Sequence, residues 1–310
     1  MSPTPEVIRT LVRQTDEKIR EGRFQHSLSL VAGLSSVLST AEVAYEHARG
    51  SYGQRIMYTP ILLGAVLSIT GIAGAFSRWV ARTVLRWVSL VTLIDGLVGF
   101  GFHLRGIQRK PGGWRLPVTN VIMGPPIFAP ILFGVSAYLG LMASYLEPEE
   151  GDLGSRTLRL LFPSIESGDV MGRAWDLDLS HGRFQKHLAV VTAIGTFCSG
   201  VEALYSHYKN NFRYKAQWTP IFLTPLLMGA ALASIKNPKV ARTWLPLLSA
   251  AAVVDGVIGF YYHARGVLRR PGGIKKPLYN ITYGPPIFAP LLFAACGSLG
   301  ILAALMRRER

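Results

Sequence analysis

The chain has 310 residues, 49% of them hydrophobic and only 16% charged, where an ordinary soluble domain carries about 25%. Its net charge of +15 would suit nucleic acid in a soluble protein. Here Lys and Arg stand in short segments beside long apolar runs, where snorkelling and anionic headgroups account for them, and no recognition-helix or aromatic-plus-basic pattern accompanies them, so no nucleic-acid partner is expected.

Residues 1–26 are polar and lack the apolar core of a signal peptide. Within them, 5–24 reads as an amphipathic helix with Val7, Ile8, Leu11, Val12 and Ile19 on one side. It could lie on a membrane surface or pack on a partner subunit. Four apolar runs follow, at 27–48, 57–77, 85–105 and 121–146. Each is long enough to span about 30 Å as a helix, and together they make a first membrane repeat, 27–146. A polar linker over 147–186 leads to a second repeat, 187–310, with runs at 187–208, 217–235, 244–265 and 281–305.

The two repeats align without a gap at an offset of 160 residues. GRFQ at 22–25 falls on 182–185, and Glu42, Tyr45 and His47 fall on Glu202, Tyr205 and His207. Thr59-Pro60 falls on Thr219-Pro220, Asn120 on Asn280, and GPPIFAP at 124–130 on 284–290. The expected fold is therefore an all-α integral membrane protein. Its eight transmembrane helices form two tandem four-helix halves, an internal duplication. Four is an even number, so both halves start on the same side and are related by a pseudo-twofold axis along the membrane normal. The expected surroundings are a lipid bilayer, in a bacterial inner membrane, and the N-terminal helix and linker suggest partner subunits.

The chemistry concentrates in DGLVGFGFHLRG, Asp95–Gly106, and its counterpart DGVIGFYYHARG, Asp255–Gly266. Each places a carboxylate near the middle of an apolar run, where a charge costs roughly 2.5–3.5 kcal/mol on insertion scales and calls for a partner or a purpose. Asp95 and His103 are eight residues apart, about 12 Å along a helix. The pattern therefore reads as an acid layer near the midplane (Glu42, Asp95, Glu202, Asp255) and a histidine layer near one face (His47, His103, His207, His263).

Three uses are open. In a redox subunit, paired histidines could ligate a b-type haem. The nearby glycines would then make room for the macrocycle, with Arg105 and Arg265 on its propionates. Without haem, the histidines, Tyr45, Tyr205, Asn120 and Asn280 could form a quinone pocket, with the four acids carrying its protons. In a proton- or cation-coupled transporter, Asp95 and Asp255 would carry the coupling ion. In a non-catalytic anchor or scaffold, the same residues would hydrogen-bond across helices and lock the bundle. No metal can be assigned: no Glu-x-x-His or His-x-x-x-His pairing falls on any helix. The two cysteines, Cys198 and Cys296, form no CxxC or CxxCH pattern, which leaves no cysteine-ligated iron–sulfur cluster and no disulfide framework. Hydrolase and kinase motifs are absent from the sequence.

In plan, two tandem four-helix halves with a histidine pair in each, the chain is similar to haem A synthases and to quinol-reacting membrane subunits. It departs from haem A synthases in placing its histidines in odd-numbered helices and in lacking their cysteine pair. No site residue is carried over from this resemblance of plan.

Overall fold

The computed structural model describes Thr10, residues 23–146 and residues 183–306. Most of the amphipathic segment expected over 5–24 and of the linker expected over 147–186 lies outside the described residues. The described chain is all helical. Its first part contains α1 (Arg23–Arg49), α2 (Thr59–Gly74), α3 (Arg78–Arg82), α4 (Val84–Gln108), α5 (Pro117–Ile122) and α6 (Ala129–Leu146). Its second part contains α7 (Phe184–Lys209), α8 (Thr219–Ser234), α9 (Pro238–Arg242), α10 (Trp244–Leu268), α11 (Pro277–Thr282) and α12 (Ala289–Leu305).

Local chemistry sets the boundaries. α2 and α8 each begin Thr-Pro after a short 3₁₀ turn, and proline is cheap there because first-turn N–H groups have no partner within the helix. Ser77 caps α3 by accepting from the Val80 N–H, and Asn237 caps α9 by accepting from Lys239 and Val240. Between α4 and α5, Gly112 and Gly113 take φ of +79° and +48°, and Gly272 and Gly273 take +86° and +47° in the matching turn, a left-handed region that glycine enters without steric cost.

The apolar run 121–146 is not one helix, as its length suggests. A short α5 ends at Ile122, the GPPIF segment is non-helical, and α6 begins only at Ala129. Pro125 and Pro126 account for this, since proline removes a helix N–H and disfavours helical geometry in the residue before it. The run 281–305 breaks in the same way between α11 and α12.

Among the described residues, seven helical stretches are long and apolar enough to cross a membrane, running from Phe24–Arg49 to Trp244–Leu268. α12 is equally apolar and has 17 residues, a rise of about 26 Å. The chain is a multi-pass integral membrane protein. α1, α6, α7 and α12 pack on one another in the interior. α2 and α4 flank the first pair, and α8 and α10 the second. These outer helices turn Leu62, Ile69, Val91, Phe222, Leu226 and Val254 outward, an apolar band of the kind that lipid covers.

Small residues let the helices close up, as in other membrane bundles. A Cβ on Gly71 would stand 2.7 Å from the Gly33 backbone, and Ser29 and Ser36 on α1 donate to the Gly71 and Gly64 carbonyls at 2.8 and 2.9 Å. The first and second parts meet where Phe24 and Phe184, from the two GRFQ segments, pack edge to face at 6.2 Å.

Candidate functional site

Every histidine of the expected layer ends a helix, and every one is tied to a backbone carbonyl of the segment that follows. His47 Nδ1 donates to the Met57 carbonyl at 2.7 Å, and His207 Nδ1 to the Gln217 carbonyl at 2.9 Å. His103 and His263 donate to the carbonyls of Pro126 and Pro286. A carbonyl only accepts, so the proton sits on Nδ1 in all four rings and the neutral ring keeps an acceptor lone pair on Nε2. The rings are half-buried. His207 and His263 lie 6.5 Å apart between centroids, with planes at 75°.

The loop after α1 wedges an aromatic ring beside this layer. Ser51 and Tyr52 take positive φ, as do Asn211 and Phe212 after α7. Left-handed backbone is unfavourable for bulky residues, at about 1–3 kcal/mol each. Packing offsets it: Tyr52 stacks on Tyr58 at 4.4 Å and Phe212 on Trp218 at 4.0 Å, and both meet the edge of His47 or His207 at 6.3 Å.

Each acid meets the start of a helix. Glu42, near the end of α1, reaches into the second part of the chain and accepts from the Phe288 N–H at 3.1 Å, and it also meets the Ala289 amide. Glu202, on α7, reaches back and accepts from the Phe128 N–H at 2.6 Å, and it meets the Ala129 amide. These amides open α12 and α6, where helix N–H groups lack partners and the dipole favours negative charge. Asp95 accepts from the Thr59 hydroxyl at 2.7 Å and Asp255 from the Thr219 hydroxyl, at the first residues of α2 and α8. All four acids therefore serve helix starts, those of α2, α6, α8 and α12.

Two glycines of the Asp95–Gly106 stretch face prolines: a Cβ on Gly99 would meet Pro130 at 3.3 Å and one on Gly106 would meet Pro125 at 3.1 Å, whereas Gly101 faces open space. On the matching helix, Gly259 faces Pro290 and Gly266 faces Pro285, each at 3.0 Å.

Asn120 is buried and its amide donates to the Pro111 and Gly113 carbonyls at 3.1 and 2.7 Å; Asn280 repeats this on Pro271 and Gly273. Both clamp the glycine turn that precedes them. Arg105 is exposed and Arg265 half-exposed at the rim. Tyr45 donates to Glu42, whereas the buried hydroxyl of Tyr205 has no hydrogen-bond partner. Glu46 pairs with Arg49 at 3.0 Å, a contact that Ser206 cannot make. Among the described residues no three His, Cys, Asp or Glu side chains gather in a metal-binding group, and both cysteines are free and buried.

Sequence reasoning missed Thr59 and Thr219 as the acids' partners, although the recurring Thr-Pro pair carried that signal. It also missed the cross-chain reach of Glu42 and Glu202. The chain matches no protein-family model, no curated protein sequence and no solved structure.

Proposed function

We propose that the chain is a duplicated, eight-span membrane anchor or scaffold subunit, with α12 as the eighth span, whose ionisable residues hold the bundle together rather than carry protons or electrons. The observation that carries this reading is the reciprocal reach of Glu42 to the start of α12 and of Glu202 to the start of α6. A carboxylate that is the fixed acceptor for a helix start is poorly placed to take up and release a proton in each turnover. The four His-to-carbonyl bonds and the two Asp–Thr bonds support the same assignment. Duplication is supported by the recurrence of these contacts 160 positions apart. The test is spectroscopic and functional. Dithionite-reduced pure protein should show no sharp α-band, and Asp95→Asn with Asp255→Asn should alter thermal stability while leaving ion flux into proteoliposomes unchanged. A haem band, or a flux abolished by those variants, would sink the scaffold reading.

A quinol-interacting subunit is the second reading. It is favoured by the His207–His263 pair, whose Nε2 atoms could each accept from a quinol hydroxyl. Haem fits less well, because Pro285 and Pro290 fill the space beside Gly266 and Gly259. Quinone retained by pure protein and lost in His207→Ala and His263→Ala variants would favour this reading over the first.

A further inference from the structure

A groove of about 530 Å³ runs along the seam between the two parts of the chain, bounded by α4, α6 and α7. Its walls are Leu93, Leu97, Ile131, Val135, Val190 and Ile194, with Gly96 and Gly134 forming the floor. It lies within the size range of sites that take small ligands, and its lining is almost wholly apolar. Lys186 and His187, in the first turn of α7, line the groove together with Tyr138 and with Ile235, which Lys236 follows in the chain. Lys186 and Lys236 are exposed, and no Asp or Glu lines the groove among the described residues. From Lys186 to Ile194 the groove descends eight residues of α7, about 12 Å into the hydrocarbon.

We infer that this groove binds an anionic phospholipid, one acyl chain lying between α4, α6 and α7 and the phosphate held by Lys186 with Lys236. The apolar walls select a hydrocarbon chain and the lysines select a negative headgroup. The opposite seam supplies an internal contrast. The positions that match Lys186 and Lys236 are His26 and Phe76, and those that match Gly134 and Tyr138 are Ala294 and Ser298. His26 is engaged with the Ala75 carbonyl at 2.7 Å. The cationic mouth thus belongs to one seam. This inference rests on membrane residence alone and stands or falls separately from the scaffold reading.

The experiment is native mass spectrometry of the full chain after reconstitution in vesicles of equal phosphatidylglycerol and phosphatidylethanolamine. Wild type should retain phosphatidylglycerol in preference. Lys186→Glu, a change at an exposed position, should cut that preference roughly five-fold. Gly134→Leu should remove the retained lipid of both kinds. A Cβ at Gly134 meets only the Leu93 side chain, at 3.5 Å, an ordinary van der Waals contact in the groove lining. Equal retention of the two lipids by wild type, retention unchanged by Gly134→Leu, or an isoprenoid quinone held in the lipid's place would each overturn the inference.

Discussion

Glu202, on α7, holds two amides at the start of α6 in the first part of the chain. Replacing it by Ala leaves them without an acceptor away from water, a loss of about 1–3 kcal/mol. Glu202→Gln keeps an acceptor oxygen and loses less. Thermal unfolding in detergent should therefore rank wild type above Glu202→Gln above Glu202→Ala; equal midpoints would show that the carboxylate is not a cap. The two tyrosines give a sharper contrast. Tyr45→Phe removes a hydrogen bond to Glu42 and should cost about 1 kcal/mol. Tyr205→Phe removes a buried hydroxyl that bonds nothing, and stability should hold or rise. The sequence made both tyrosines and all eight acids and histidines visible by repetition. It did not disclose what they bind, because their partners are mostly peptide groups: the carbonyls of Met57, Pro126, Gln217 and Pro286 and the amides of Phe128 and Phe288. Every residue carries such groups, so side-chain pattern holds no trace of them.

Among the helices, the close pairs α4–α6 and α10–α12 depend on two glycines. A Cβ on Gly96 would stand 2.8 Å from the Pro130 carbonyl oxygen, and one on Gly256 would stand 2.4 Å from that of Pro290. Backbone gives way less readily than a side chain, so Gly96→Ala and Gly256→Ala should each destabilise by about 1–3 kcal/mol, Gly256→Ala the more. Gly101, five residues along the same helix, faces open space. Gly101→Ala should be neutral or stabilising by up to about 1 kcal/mol, the ordinary gain in helix propensity. Chemical unfolding of the three variants checks the ranking, and a costly Gly101→Ala would contradict the packing described. The helices themselves were legible from apolar length, with boundaries within about four residues for α1, α2, α4, α7, α8 and α10. The apolar runs 121–146 and 281–305 were not, because each continues through GPPIF while the helix does not. Hydrophobicity marks what lipid tolerates; the prolines decide where hydrogen bonding can begin.

At the scale of the whole molecule, the proposed eight-span arrangement requires both halves to present the same ends to the same side. Cysteines placed at Gly53, Gly113 and Arg213, each in a loop that follows a histidine-bearing helix, should be labelled from one face by a membrane-impermeant maleimide. Cysteines at Phe76 and Lys236 should be labelled from the other face. A mixed pattern would exclude the eight-span arrangement proposed above. The seam that joins the halves is built from polar contacts as well as from Phe24 against Phe184 and Phe128 against Phe197, the latter at 5.4 Å.

The exchange of glutamates across that seam bears on how the chain is made. When synthesis has just passed Leu146, the amides of Phe128 and Ala129 have no acceptor, because Glu202 is more than fifty residues from emerging. Glu42, already inserted, waits longer still for Phe288. The start of α6 is therefore completed only when α7 arrives, and Glu42 finds its amides only when α12 docks onto it.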